Sequence, residues 1–253
     1  MSSKKFTVIT ADPPWSFKDT LRMSDVARGA LANYNTMTIS EIKALPVNSV
    51  AADDGCVLAL WVPSSLLQEG LDTMKAWGFS HKQTYIWVKT KINPLSEITG
   101  VFHKAWKNDK KPLGKYNDKT WKDALQNVTQ MINLVDYQKA GEFLNRMMAF
   151  GMGRLFRQTH EICLIGTNNN KIYKKLNNKA QRSVSLAPNL KHSAKPDHLQ
   201  NSLEIMFPKG NKMELFARRI KPGWICLGNE VCIDSKGKGE DIRASLDKVI
   251  QSL

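Results

Sequence analysis

The chain has 253 residues, with 37 Lys and Arg against 23 Asp and Glu, for a formal net charge of +14. This length suits one large α/β domain or a domain with an insertion, and the charge points to a polyanionic partner, nucleic acid before membrane. No apolar run reaches the roughly 18 residues that would span a bilayer, and the cysteines (Cys56, Cys163, Cys226, Cys232) form no CxxC pair, which disfavours a zinc or disulfide scaffold.

The chain enters a strand at Phe6–Ala11 directly after Met-Ser-Ser-Lys-Lys. No signal-peptide core precedes it, so a cytoplasmic location is expected. At the end of that strand stands Asp12-Pro13-Pro14-Trp15. An ionised Asp only accepts hydrogen bonds, and proline contributes a carbonyl without an N–H. Proline also stiffens the turn. Asp12 and the Pro13 carbonyl therefore suit a planar amine that gains positive charge as it attacks an electrophile. Trp15 is expected to offer a stacking face for a base that has left its stack. Asp-Pro as a plain turn at a strand end is the simpler alternative.

Further strands are expected at Cys56–Val62, Thr84–Lys89, Glu161–Gly166, Met213–Arg218 and Trp224–Leu227. Helical patterns at Leu66–Trp77, Pro196–Met206 and Glu240–Leu253 alternate with them. Such alternation predicts an α/β fold with a mainly parallel sheet and helices on both faces. Residues 90–150 are long for a connection and are expected to form a basic, helical insertion in a single domain spanning 1–253. Lys104, Lys107, Lys110, Lys111 and Lys115 lie in its first part, interleaved with Trp106, Tyr116 and Trp121. Its second part reads as two helices broken near Val135-Asp136, a candidate recognition or dimerisation element. His160 and Glu161 are adjacent on a strand and face opposite ways, so no metal pair is expected.

Residues 168–195 carry Lys171, Lys174, Lys175 and further basic residues but no acid. Together with the insertion they suggest a groove that tracks phosphates; a solvated face is the alternative. Ligands in open α/β sheets bind beyond the carboxyl ends of strands, where Arg218, Asn229 and Glu230 stand. An amide or carboxylate there suits ribose hydroxyls, and Lys195 or Arg218 suits a carboxylate. Polar caps of strand ends would look the same.

Several motifs occur together and in order: Ala11-Asp12-Pro13-Pro14-Trp15, Tyr34-Asn35-Thr36-Met37, Leu60-Trp61-Val62, Trp77-Gly78-Phe79, Trp87-Val88-Lys89, Arg157-Gln158-Thr159-His160-Glu161 and the block from Ser193 to Val231. In them the chain resembles the MT-A70 family of S-adenosylmethionine-dependent adenine-N6 methyltransferases, and most resembles its short phage and bacterial DNA-modifying members. The resemblance implies a Rossmann-like methyltransferase fold with permuted motif order, the catalytic strand preceding the donor-binding block. It implies catalytic roles for Asp12, Pro13, Pro14 and Trp15, and base contacts including Tyr34. Donor contacts would come from Lys195, Phe216, Arg218, Asn229 and Glu230. S-adenosylmethionine is the expected cofactor, without a metal. DNA is the expected partner, with RNA as an alternative substrate; a homodimer and a non-catalytic subunit are further alternatives. Arg219-Ile220-Lys221 departs from the family pattern, so donor contacts are not carried over there.

Overall fold

The computed structural model describes residues 5–16, 37–96, 99–100, 103–104, 118–131, 137–149, 151, 155–189, 194–231 and 239–253. Its strands are β1 (Val8–Ala11), β2 (Val57–Val62), β3 (Ser80–Thr90), β4 (His160–Thr167), β5 (Val184–Pro188), β6 (Lys212–Leu215) and β7 (Ile225–Leu227). They form one sheet in the order β5-β3-β4-β2-β1-β6-β7. β1 runs parallel to β2 and to β6, and β6 parallel to β7, while β4 runs antiparallel to β2. The result is a mixed, mostly parallel sheet of Rossmann-like type, with the Asp-Pro-Pro-Trp strand in its interior between β2 and β6.

Register fixes which side chains share a face, because directly paired residues point the same way. Ile9, Leu58 and Met213 align across β1, β2 and β6, as do Ala11, Leu60 and Leu215. All six are buried in the main apolar cluster. Helices close over this face: α1 (Ile39–Lys43) contributes Ile42, α2 (Val47–Val50) its two valines, α3 (Leu67–Ala76) Met74, and α7 (Ile242–Ser252) Ile242 and Leu246. α1 begins with a capping box in which Thr38 Oγ1 accepts from the Glu41 N–H and the Glu41 carboxylate accepts from the Thr38 N–H. On the opposite face, Thr10 aligns with Ala59 and Glu214, and Glu214 with Cys226. α6 (His198–Met206) covers that face, since Gln200 Nε2 donates to Glu214 Oε2 at 2.9 Å.

Three elements differ from expectation. β5 lies inside the basic stretch 168–195, which sequence patterning leaves without a strand. β3 begins at Ser80, four residues early, through the exposed polar run Ser80–Gln83. β6 stops at Leu215 rather than Arg218, because Phe216 turns to a φ of 61°.

The chain divides into two compact units. The first comprises Met1–Trp87, Glu161–Ser185 and Pro196–Leu253 and holds most of the sheet. The second comprises Val88–His160 and Leu186–Lys195. Within the second unit, α4 (Asp118–Met131) packs against α5 (Tyr137–Met147), with Ala124 and Phe143 buried. The end of α5 is tied back to β3, where the Lys91 N–H donates to the Met147 carbonyl at 3.0 Å and the Ala149 N–H to the Lys89 carbonyl at 2.9 Å. No helix among the described residues is long and apolar enough to cross a membrane.

Candidate active site

Asp12-Pro13-Pro14-Trp15 leaves the carboxyl end of β1 as a tight turn. The Trp15 N–H donates to the Pro13 carbonyl at 2.8 Å, which makes a γ-turn centred on Pro14. Proline suits that centre because its ring fixes φ near the value the turn needs. The Met37 N–H donates to the Pro14 carbonyl at 3.1 Å, and Trp15 and Met37 form a parallel bridge. Both prolines therefore present their carbonyls in fixed directions. The Pro13 carbonyl retains a second lone pair for another donor.

Burial alternates along the motif: Pro13 and Trp15 are buried, while Asp12, Pro14 and Ser16 are half-buried. This corrects the expected role of Trp15. It is 3% exposed, sits in the main core cluster, and donates its indole Nε1–H to the Trp61 carbonyl at 3.0 Å. A ring held there has no free face for a base. Trp61 in turn meets Tyr85 and Trp87 edge-on, at centroid distances of 6.2 and 6.5 Å. Trp15 thus anchors the turn to β2. Trp15→Phe should cost about 1–3 kcal/mol from the orphaned carbonyl alone, with further loss from the vacated volume. A denaturant midpoint unchanged by this substitution would contradict the anchoring role.

The terminal block closes on the same turn. The Asp12 N–H reaches the Leu215 carbonyl at 3.4 Å, and the Ala217 N–H donates to the Leu227 carbonyl at 2.9 Å. Between these bonds Phe216 holds its left-handed conformation, which is rare for a bulky residue and recurs at functional sites. That bend carries Arg218 back across the strand ends. Arg218 Nη2 lies 3.8 Å from Asp12 Oδ2, and its Nε lies 3.8 Å from Glu230 Oε1. These are ion pairs rather than hydrogen bonds. The Arg218 and Asp12 side chains are 25% and 18% exposed, so the charges are partly withdrawn from water.

Asn229 and Glu230 are exposed at the end of β7. The Gly239 N–H donates to the Asn229 carbonyl at 3.0 Å, and the Val231 N–H to the Gly228 carbonyl at 3.1 Å. Gly228 is required for this closure, since a Cβ there would lie 2.3 Å from the Ala217 carbonyl oxygen. The stretch between Arg218 and β7 is committed to structure. Arg219 pairs with Asp197, Lys221 Nζ lies 3.4 Å from Glu204 Oε1, and Trp224 Nε1 donates to Glu204 Oε1 at 2.6 Å.

Beneath the strand ends lies a polar row that sequence patterning does not reveal. Glu214 sits on β6 between the buried Met213 and Leu215. Burial raises its carboxyl above the usual range, and the Gln200 hydrogen bond only partly opposes this. Its row neighbour Thr10 is 3% exposed, and Thr10 Oγ1 finds no hydrogen-bond partner among the described residues. A glutamate flanked by apolar residues on a short central strand is the one sequence signal for this row.

The raised Glu214 pKa has a consequence for stability. Between the ordinary and the raised pKa, the folded chain holds a proton that the unfolded chain has lost, so stability falls as pH rises through that window. Glu214→Gln keeps an oxygen for Gln200 and removes the titration. It should match the parent in acid and become the more stable of the two as pH rises above the ordinary glutamate range, as thermal melts across pH would read. A constant difference at every pH would contradict the assignment.

Lys195 belongs to the second unit, as does the exposed Lys104. Lys171, Lys174 and Lys175 stand on a 3-10 helix, Asn170–Lys175, beside the start of β2. That is the amino end of the parallel strands, opposite Asp12, because a strand parallel to β1 places its start at the far edge. They therefore do not join the Asp12 site. Tyr34, Lys107, Lys110, Lys111 and Lys115 lie outside the described residues. No group of three or more His, Cys, Asp or Glu among the described residues is arranged to hold a metal ion.

The MT-A70 family model matches residues 6–112 and 121–230. The N(6)-adenosine-methyltransferase MT-A70-like protein of Drosophila melanogaster is 28% identical over 229 residues, 90% of this chain and 27% of its own length. The human N(6)-adenosine-methyltransferase catalytic subunit METTL3 is 26% identical over 229 residues, 90% of this chain and 28% of its own. The mouse N(6)-adenine-specific methyltransferase METTL4 is 23% identical over 237 residues, 90% of this chain and 38% of its own. The chain thus spans well under half the length of these relatives.

Proposed function

We propose that this chain, which belongs to the MT-A70 family, transfers a methyl group from S-adenosylmethionine to the N6 amine of an adenine in nucleic acid. The observation that carries the reading is the pair of ion contacts from Arg218 to Asp12 and to Glu230. It joins two sequence blocks some 200 residues apart at one set of strand ends, one suited to the amine and one to the donor.

The residues present fit a nucleoside-bearing donor. Arg218, Asn229 and Glu230 stand together beyond the carboxyl ends of β6 and β7, a cation, an amide and a carboxylate at one set of strand ends. Arg218 would meet the donor's carboxylate, and Asn229 and Glu230 its ribose hydroxyls. When bound, S-adenosylmethionine supplies an electrophilic methyl group on a positively charged sulfur. The chain's own part is electrostatic and positional. Asp12 and the Pro13 carbonyl accept from the two amino hydrogens of the adenine. Both are fixed before the base arrives, so they stabilise the positive charge that grows on the amine without reorganising. Holding the amine in line with its target supplies the rest of the acceleration.

DNA is the favoured strand, on the resemblance to short DNA-modifying members. RNA is the second reading, and the adenosine named for the fly and human relatives favours it. Incubating the purified chain with methyl-labelled donor and matched DNA and RNA oligonucleotides tests both. Label on adenine N6 is expected, in the DNA pool first. Label on cytosine or on protein alone would contradict the reading.

A further inference from the structure

The first unit carries a cleft of about 1000 Å³ at the amino end of the sheet. Lys5, Lys174, Lys175 and Lys209 line it together with Asp53 and Asp54. Lys5 Nζ pairs with Asp53 at 3.0 Å, and Lys175 Nζ with Asp54 at 2.5 Å. Lys174 and Lys209 are exposed and have no carboxylate partner among the described residues. Counting side chains alone, four lysines against two aspartates leave a charge of +2.

The lysine platform is built rather than loose. Asn168 Oδ1 accepts from the Cys56 N–H at 2.7 Å while its Nδ2 donates to the Ala52 carbonyl at 2.9 Å. Asn169 does the same one residue on: Oδ1 accepts from the Lys171 N–H at 2.7 Å and Nδ2 donates to the Asp53 carbonyl at 2.6 Å. Two adjacent amides thus spend both ends on pinning the 3-10 helix to the loop that precedes β2. Gly55, at a φ of +116°, completes the joint, since a Cβ there would lie 2.5 Å from the backbone nitrogen of Ile172. On the far side, the Asn177 N–H donates to the Met206 carbonyl at 2.9 Å, tying the platform to the turn that holds Lys209.

None of this supports the Asp12 site. From Thr7, in the cleft, to Asp12 the chain runs five residues, or roughly 16 Å at strand rise. Because β1 is buried, a nucleic acid must take a longer path over the surface, so the contact falls at least about five nucleotides, at 3.4 Å each, from the reacting base. Two exposed ammonium groups without carboxylate partners, carried on a backbone pinned by Asn168 and Asn169, suit phosphate oxygens. We propose that this cleft is a second phosphate-binding site, which holds the backbone of the nucleic-acid substrate away from the reacting base. The proposal rests on the reading of the chain as a nucleic-acid methyltransferase and adds to it a contact separable from the chemistry.

The test is Lys174→Ala/Lys209→Ala in the full chain, with both side chains at the surface and outside the catalytic machinery. Binding to a short and a long labelled duplex is measured by anisotropy across salt, and donor affinity by calorimetry. The variant should bind the long duplex more weakly, with a salt slope shallower by about two phosphate contacts (roughly 0.9 each). Its donor affinity and its affinity for the short duplex should be unchanged. Inorganic phosphate should compete only weakly with the long duplex; full displacement at low millimolar phosphate would assign the cleft to the free anion and overturn the nucleic-acid contact. Parent and variant slopes that coincide on the long duplex would remove the cleft and leave the enzyme reading intact. Absence of donor binding by both would instead strike the enzyme reading.

Discussion

Asp12→Asn should lower the single-turnover methylation rate about 10²–10³-fold, the usual effect of removing one preorganised electrostatic contact to a developing charge. Asparagine keeps the size of the side chain but replaces an acceptor-only group with one that also carries N–H donors. An amide hydrogen pointed at the adenine amine would oppose the charge that the aspartate favours. The substitution also leaves Arg218 with Glu230 as a carboxylate neighbour at the site. Donor affinity should therefore shift far less than rate, and calorimetry beside rapid-quench kinetics separates the two. A variant that turns over at the parent rate would show that Asp12 is a strand-end cap and nothing more.

Gly228→Ala should damage both the fold and the site. Its Cβ would lie 2.3 Å from the Ala217 carbonyl oxygen and 2.7 Å from the Ala217 nitrogen, both backbone atoms that cannot rotate away. The Ala217 N–H is already committed to the Leu227 carbonyl at 2.9 Å, so relief requires the ends of β6 and β7 to part. Overpacking of this kind typically costs about 1–3 kcal/mol. The functional loss should be larger than the stability loss. The same movement displaces Arg218 and Asn229, and a misplacement of about 1 Å can cost on the order of 10²-fold in rate. Melting temperature and turnover measured on one preparation would read both. A variant with full activity would mean that the two strand ends tolerate separation.

Much of the sheet is legible in the sequence because its central strands are short apolar runs and its helices carry a 3.6-residue repeat. β1 and β2 emerge this way, as does α7 with Ile242 and Leu246 on its buried side. β5 does not, because its pattern is inverted: Val184 and Leu186 are exposed while Ser185 and Ala187 are buried. The first half of β3 is missed for a related reason, being polar and exposed throughout. Asp12, Arg218 and Glu230 are legible individually from their places at strand ends. Their meeting is not, because it depends on the left-handed turn at Phe216, a conformation that a phenylalanine does not advertise.

Trp15 shows the limit most clearly. Its neighbours announce a stiff turn at a strand end, and an aromatic there invites a stacking role. What decides its position is the Trp61 carbonyl, 46 residues away, which accepts the indole hydrogen. The placement of the lysines of 171–175 is illegible for a different reason. Their charge is plain in the sequence, but the asparagines that fix them to the opposite edge of the sheet act through backbone groups of residues 52–56. Local composition carries no record of such a partner.

The central claim is that the Asp12 turn and the terminal block form one methyl-transfer site for adenine. Nucleoside mass spectrometry on DNA and RNA from cells expressing the chain tests it most directly, with Asp12→Ala as the paired control. The account predicts N6-methyladenine above the control, foremost in DNA. Equal levels in the parent and the Asp12→Ala variant, in both pools, would contradict it.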